Sequence, residues 1–139
     1  MRVDFVTAYP EEVERAKREG WQVILPVGTV EYHSTHCPYG CDGLIAEGMA
    51  NELSKKMDCL ILPTVWYGVS SYAVGGPETN TINMDIDVLE AYVYNILKSL
   101  FKKCFNARMP NILFVTEMIM KLVENTSTKT QCVGTTKKL

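Results

Sequence analysis

The chain has 139 residues, enough for one domain. Its 47% apolar and 22% charged residues are ordinary globular values, which excludes a disordered or fibrous chain. A net charge of -2 leaves no basic excess for a phosphate backbone, so no nucleic-acid partner is expected. No apolar run approaches the roughly 18 residues that a membrane span needs, so no membrane partner is expected either.

The opening segment, MRVDFVTAYPEEVERAKREG, carries acids and has no long apolar core, so it does not read as a secretory signal. The expected location is cytoplasmic. The cysteines Cys37, Cys41, Cys59, Cys104 and Cys132 are odd in number and form no CxxC pair, which favours reduced thiols over a disulfide scaffold.

In chain order, Pro10 to Arg18 reads as a surface helix, with proline in the first turn and Gly20 just past the end. Trp21 to Val27 is a short apolar run bounded by glycines, predicted as a buried strand that ends near Pro26. Gly43 to Met57 reads as a helix. Its apolar face is expected from Ile45, Met49 and Leu53 with Ala46 and Ala50 beside them, and Lys55 and Lys56 lie at its C-terminal end. Cys59 to Pro63 is a second buried strand. Strand, helix and strand at this spacing predict a βαβ unit and a parallel sheet.

Trp66 to Asn83 reads as a long ordered loop, with a short strand within Thr79 to Met84. Asp87 and Glu90 form a capping-box-like start to the next helix. Leu89, Tyr92, Val93, Ile96, Leu97, Leu100 and Cys104 share its apolar stripe, and Lys98, Lys102 and Lys103 lie off it. Asn111 to Val115 is a third buried strand, and Glu117 to Val123 could add two helical turns. The end, NTSTKTQCVGTTKKL, holds five Thr and three Lys with no acid. The expected organisation is an incomplete α/β domain over 1–124 and a disordered tail over 125–139.

The segment from Gly28 to Asp42, GTVEYHSTHCPYGCD, contains both histidines of the chain, His33 and His36. It follows a strand and precedes a helix, where sites of open α/β sheets collect. Glu31 and His33 are two apart and face the same side in extended backbone. Asp42 stands at the expected N-cap of the next helix, from which it can swing toward them. Two carboxylates and an imidazole suit zinc or manganese. A plain N-cap and a solvated loop pair would use the same residues without a metal.

The same segment resembles the signature of the creatininase (creatinine amidohydrolase) family, approximately G-S/T-x-E-Q-H-G-P-H-L-P-x-x-x-D. Gly28, Glu31, His33, His36, Pro38 and Asp42 fall on family positions. Ile24 to Gly28 matches the family's preceding strand, and Leu62 to Ser70 its later P-x-x-x-x-G-x-S element. Gly76 to Ile82 loosely represents a further G-x-x-G-T-I element.

The resemblance implies a layered α/β fold, a mostly parallel sheet flanked by helices, and a homo-oligomer, often a hexamer. It implies metal-dependent hydrolysis of a C–N (cyclic amide) or related bond in a small cyclic substrate through a metal-bound hydroxide. Glu31 and His33 would each bind one metal of a binuclear zinc or manganese centre, and Asp42 would bridge both. His36, Ser70 and Tyr72 would be supporting or substrate contacts. The family's chemistries include creatinine hydrolysis, deformylation of a pyrimidine nucleotide intermediate, peptide trimming in cofactor maturation and hydrolysis of cyclic polyol diketones. Tyr32, Tyr72 and the Pro77–Glu78 loop depart from the creatinine-cleaving pattern, so the expectation is a creatininase-like hydrolase rather than a creatininase, with cyclic-polyol metabolism as a guess at the substrate.

After Val115 the family's N-G-H-x-x-N is replaced by Thr116-Glu-Met-Ile-Met120. No further catalytic acid or base is identified in the chain. It therefore reads as a truncated N-terminal portion of the family fold with a divergent C-terminal tail. The alternative is a catalytically inactive remnant, with partial metal binding or only a structural, oligomeric role.

Overall fold

The computed structural model describes residues 1–70, 80–104 and 112–115. In chain order the elements are β1 (Arg2–Asp4), α1 (Pro10–Glu19), β2 (Gln22–Pro26), α2 (Cys41–Ser54), β3 (Cys59–Ile61), α3 (Ile86–Cys104) and β4 (Ile112–Val115). The strands form one sheet in the order β1-β3-β2-β4. Every pairing is parallel, with Ile24 opposite both Ile61 and Leu113. The expected βαβ unit is therefore β2-α2-β3.

Period-2 alternation divides the sheet's side chains between two faces. Val3, Val23, Leu25 and Leu60 join Ala16 of α1 and Leu89, Val93 and Leu100 of α3 in the larger core. Ile24, Cys59 and Ile61 face Ala50 of α2 in a smaller one. Local signals set the helix ends. Pro10 opens α1, the Glu12 carboxylate accepts from the Tyr9 N–H at 2.8 Å, and Gly20 closes the helix at φ 70°. Pro26 ends β2, and its carbonyl accepts from Val65 N at 2.9 Å.

Several expectations need correction. The strand β1 was not anticipated; three residues with one apolar side chain show no period, and only pairing with β3 reveals it. In α2 the buried residues are Gly43, Ala46 and Ala50. Leu44, Ile45 and Met49 are 53%, 45% and 50% exposed, so the small residues face the sheet, and Ile45 and Met49 do not. The helix ends at Ser54, which leaves Lys55 as its C-cap rather than in its last turn.

Thr81 to Met84 forms no strand; Ile82 makes a single antiparallel bridge to Val30. The α3 helix starts at Ile86, and the Asp85 carbonyl accepts from Val88 and Leu89 N–H, so Asp87 lies inside the first turn and not at the cap. Tyr92 is exposed rather than part of the buried stripe. The expectations for 117–123 and for the tail over 125–139 lie outside the described residues.

Candidate metal centre

The β2–β3 ladder continues beyond the strands and carries the chain into the site. Leu62 N donates to Ile24 O, Gly28 N to Val65 O and Gly68 N to Gly28 O, at 2.8–2.9 Å. Gly28 then meets the first turn of α2. A Cβ placed on Gly28 would sit 2.3 Å from the Gly43 Cα, and one on Gly43 would sit 2.3 Å from the Trp66 ring. No side chain fits at either position. This three-layer contact brings the loop after β2 against the start of α2.

From there Thr29 to Gly40 folds as a compact loop. Glu31 N donates to Tyr39 O at 2.9 Å, which closes the segment on itself. His33 and Thr35 form a bridge around Ser34, whose φ of 64° is left-handed and uncommon outside glycine. That turn places His33 beside Glu31 and Asp42.

Glu31, His33 and Asp42 each offer one ligand atom, and these atoms lie within 4.8 Å of one another. His33 Nε2 is 3.2 Å from Asp42 Oδ1 and 3.6 Å from Glu31 Oε1. The other ring nitrogen, Nδ1, is 3.1 Å from the Glu31 carbonyl oxygen. A carbonyl only accepts, so Nδ1 carries the hydrogen. In the neutral imidazole Nε2 is then a lone pair aimed at two carboxylate oxygens. Lone pairs so converged suit a metal ion between them. A backbone carbonyl on the far nitrogen is the usual support of a metal-binding imidazole. Two oxygens and one imidazole nitrogen are a donor set that fits zinc or manganese.

The outer oxygens of both carboxylates are also held. Ser70 Oγ donates to Glu31 Oε2 at 2.6 Å, and Ser70 N donates to Asn83 Oδ1 at 2.7 Å. Thr29 Oγ1 donates to Asp42 Oδ2. A further bond joins Tyr32 N to Thr81 Oγ1 at 3.0 Å, so the 80–83 segment backs the whole loop.

The sequence-predicted residues sort clearly. Glu31, His33 and Asp42 come together, and Ser70 touches Glu31. Asp42 is not the N-cap expected: Gly40 holds that position, no side chain caps the helix, and the Asp42 carboxylate turns toward His33 and Thr29 instead. His36 is exposed and lies outside the three-residue cluster. Tyr72 lies outside the described residues. Thr29 and Asn83 were missed; a lone Thr and a lone Asn carry no spacing signal, and only the fold shows what they touch.

The family model described as Creatininase, creatinine amidohydrolase, matches residues 8–131. The 3-dehydro-scyllo-inosose hydrolase of Thermotoga maritima is 27% identical over 104 residues, which are 73% of this chain and 33% of that protein. A solved structure described as creatininase Mn superposes with a TM-score of 0.72 at 21% identity, over 82% of this chain and 44% of that one. A mutant creatininase of Zn-Zn type gives a TM-score of 0.67 at 24% identity, over 73% and 41%. The chain thus spans a third to under a half of the length of these relatives. The family match over most of the sequence, on the layered parallel fold already described, shows that the chain belongs to the creatininase (creatinine amidohydrolase) family.

Proposed function

We propose that this chain carries part of a creatininase-like hydrolytic site, in which Glu31, His33 and Asp42 hold a divalent cation, zinc or manganese. The observation that carries the reading is the Nε2 lone pair of His33, set between two carboxylate oxygens with its other nitrogen tied to a carbonyl. When bound, such a cation supplies Lewis-acid polarisation and activation of water for attack on a C–N or related bond. The residues themselves supply position. Glu31 and His33 face the site from one extended segment, and Asp42 faces it from the first turn of α2. Asp42 is also the proposed bridging carboxylate if the centre is binuclear.

The substrate class we propose is a small cyclic molecule, nearer a cyclic polyol than creatinine. The named activity of the Thermotoga relative supports this, as does Tyr32 in place of the family's usual Gln. The proposal includes a domain over 1–124, a homo-oligomeric assembly and a cytoplasmic location; among the described residues no helix is long and apolar enough to cross a membrane.

A second reading is favoured by Thr116 to Met120, where the family's histidine-bearing motif is absent. It holds that metal binding and turnover separate in this chain, so that it binds a cation but hydrolyses slowly or not at all. Loss of a proton-transfer group alone typically lowers a rate by about 10²–10⁴-fold.

Metal analysis of the full chain, beside variants Glu31→Gln, His33→Ala and Asp42→Asn, tests the site. Each variant is expected to lose zinc and manganese, and unchanged metal content in all three would refute the assignment. A product assay on a cyclic amide and on a cyclic polyol ketone, run on the same preparation, decides between the two readings.

A further inference from the structure

We propose that Thr29 is a positioning residue of this centre, whose hydroxyl fixes which oxygen of Asp42 faces the cation. The inference rests on the metal reading above and deepens it. Thr29 is fully buried, and its Oγ1 donates to Asp42 Oδ2. A buried hydroxyl must find a partner, and a carboxylate can only accept, so the direction of this bond is determined.

Two further contacts lock it. Next to Thr29 and Asp42 in sequence stand Gly28 and Gly43, so close together that a Cβ on Gly28 would lie 2.3 Å from the Gly43 backbone. The Thr29–Asp42 bond is therefore in register with a backbone contact that neither segment can slide past. On its other side the Thr29 methyl is packed: a Cβ placed on Gly68 would come within 2.9 Å of its Cγ2. A β-branched side chain held by its methyl has one rotamer left, and that rotamer aims the hydroxyl at Asp42.

The consequence falls on the opposite oxygen. With Oδ2 held by Thr29, Oδ1 is the one directed to His33 Nε2. Asp42 also gives up capping its own helix, which the Thr29 bond replaces as a local partner. Ser70 does the same for Glu31, but from an element distant in sequence. Thr29 acts within the ligand loop itself.

The test is zinc titration of the full chain by competition with a chromophoric chelator, for wild type, Thr29→Val, Thr29→Ser and Thr29→Ala, with each fold checked by circular dichroism. Loss of a supporting bond to a metal ligand typically weakens affinity about 10–100-fold. Thr29→Val is expected to bind zinc that much more weakly while staying folded, and Thr29→Ser, which keeps the donor but loses the methyl that fixes its rotamer, is expected to bind between wild type and Thr29→Ala. Thr29→Ala removes the donor without placing a second methyl beside Asp42, and carries the test if the valine variant does not fold. Wild-type zinc affinity in a folded valine or alanine variant would overturn the proposal, as would serine binding no better than alanine. A wild-type chain that binds no zinc would instead refute the metal reading itself, and this inference with it.

Discussion

The two faces of the sheet are built on opposite plans. The α1/α3 face is thick: Val3, Trp21, Val23, Leu25 and Leu60 meet Leu89, Val93 and Leu100 of a long helix. The α2 face is thin, with Ile24, Cys59 and Ile61 under a helix that presents glycine and alanine. The thick face stabilises by apolar area removed from water. The thin face does something else. Its small side chains let α2 approach the sheet closely, and that approach sets Asp42 beside Glu31 and His33. A site whose ligands come from two elements is served by a short, stiff junction more than by a large core.

The comparison can be broken first on the thick side. Leu60 is fully buried at the centre of the larger core. Leu60→Ala is expected to destabilise the fold by about 2–5 kcal/mol in chemical denaturation. Zinc affinity of the fraction that remains folded should be unchanged. A folded Leu60→Ala chain with lost affinity would show that the core, and not the junction, positions the ligands.

The thin side should respond the other way. Gly28→Ala forces a methyl against the Gly43 backbone, which cannot give as a side-chain end could. Overpacking of this kind costs about 1–3 kcal/mol. The signature is a loss of zinc affinity out of proportion to the loss in stability. Equal, small effects on both would mean that the close approach of the two glycines is incidental.

Cys59 sharpens the contrast at alkaline pH. Burial on the thin face pushes its thiol above the ordinary value. The folded state therefore keeps the proton while the unfolded chain releases it. The stability contributed is complete below the unfolded thiol's pKa, and is lost as pH rises from there through the raised folded value. The stability difference between wild type and Cys59→Ala should shrink over that range and stay flat below it. A difference that grows with pH would contradict the burial of this thiol.

The smallest effect belongs to the outer side of α2. Met49 is half exposed, so Met49→Gln should change stability by no more than about 0.5 kcal/mol and leave zinc binding alone. A loss of several times that amount would show that this side is covered by something in solution.

Much of the fold was legible because its signals are local. Pro10 and Gly20 bracket α1, the glycine-bounded apolar run gives β2, and the β2-α2-β3 spacing gives a parallel pair. Glu31, His33 and Asp42 were legible for a similar reason: they sit in one contiguous segment, with the only two histidines marking it. What could not be read was decided by partners distant along the chain. Ile45 and Met49 looked like a core stripe because size and periodicity favour them, yet beside the close approach of Gly28, Gly43 and Trp66 it is Ala46 and Ala50 that lie buried beneath the helix. Asp42 looked like an N-cap because Asp before a helix usually is one.

The sequence by itself determined most of the elements, the parallel crossover and the segment whose Glu31, His33 and Asp42 converge, since capping, periodicity and motif spacing act within a few residues. Tertiary structure alone decided which face of α2 is buried, that β1 joins the sheet edge, and that Thr29 and Ser70 hold the outer carboxylate oxygens. Those outcomes depend on how closely two backbones approach and on which polar groups then find themselves buried together. No local pattern encodes either, because the residues that settle them are brought into contact only when the sheet closes.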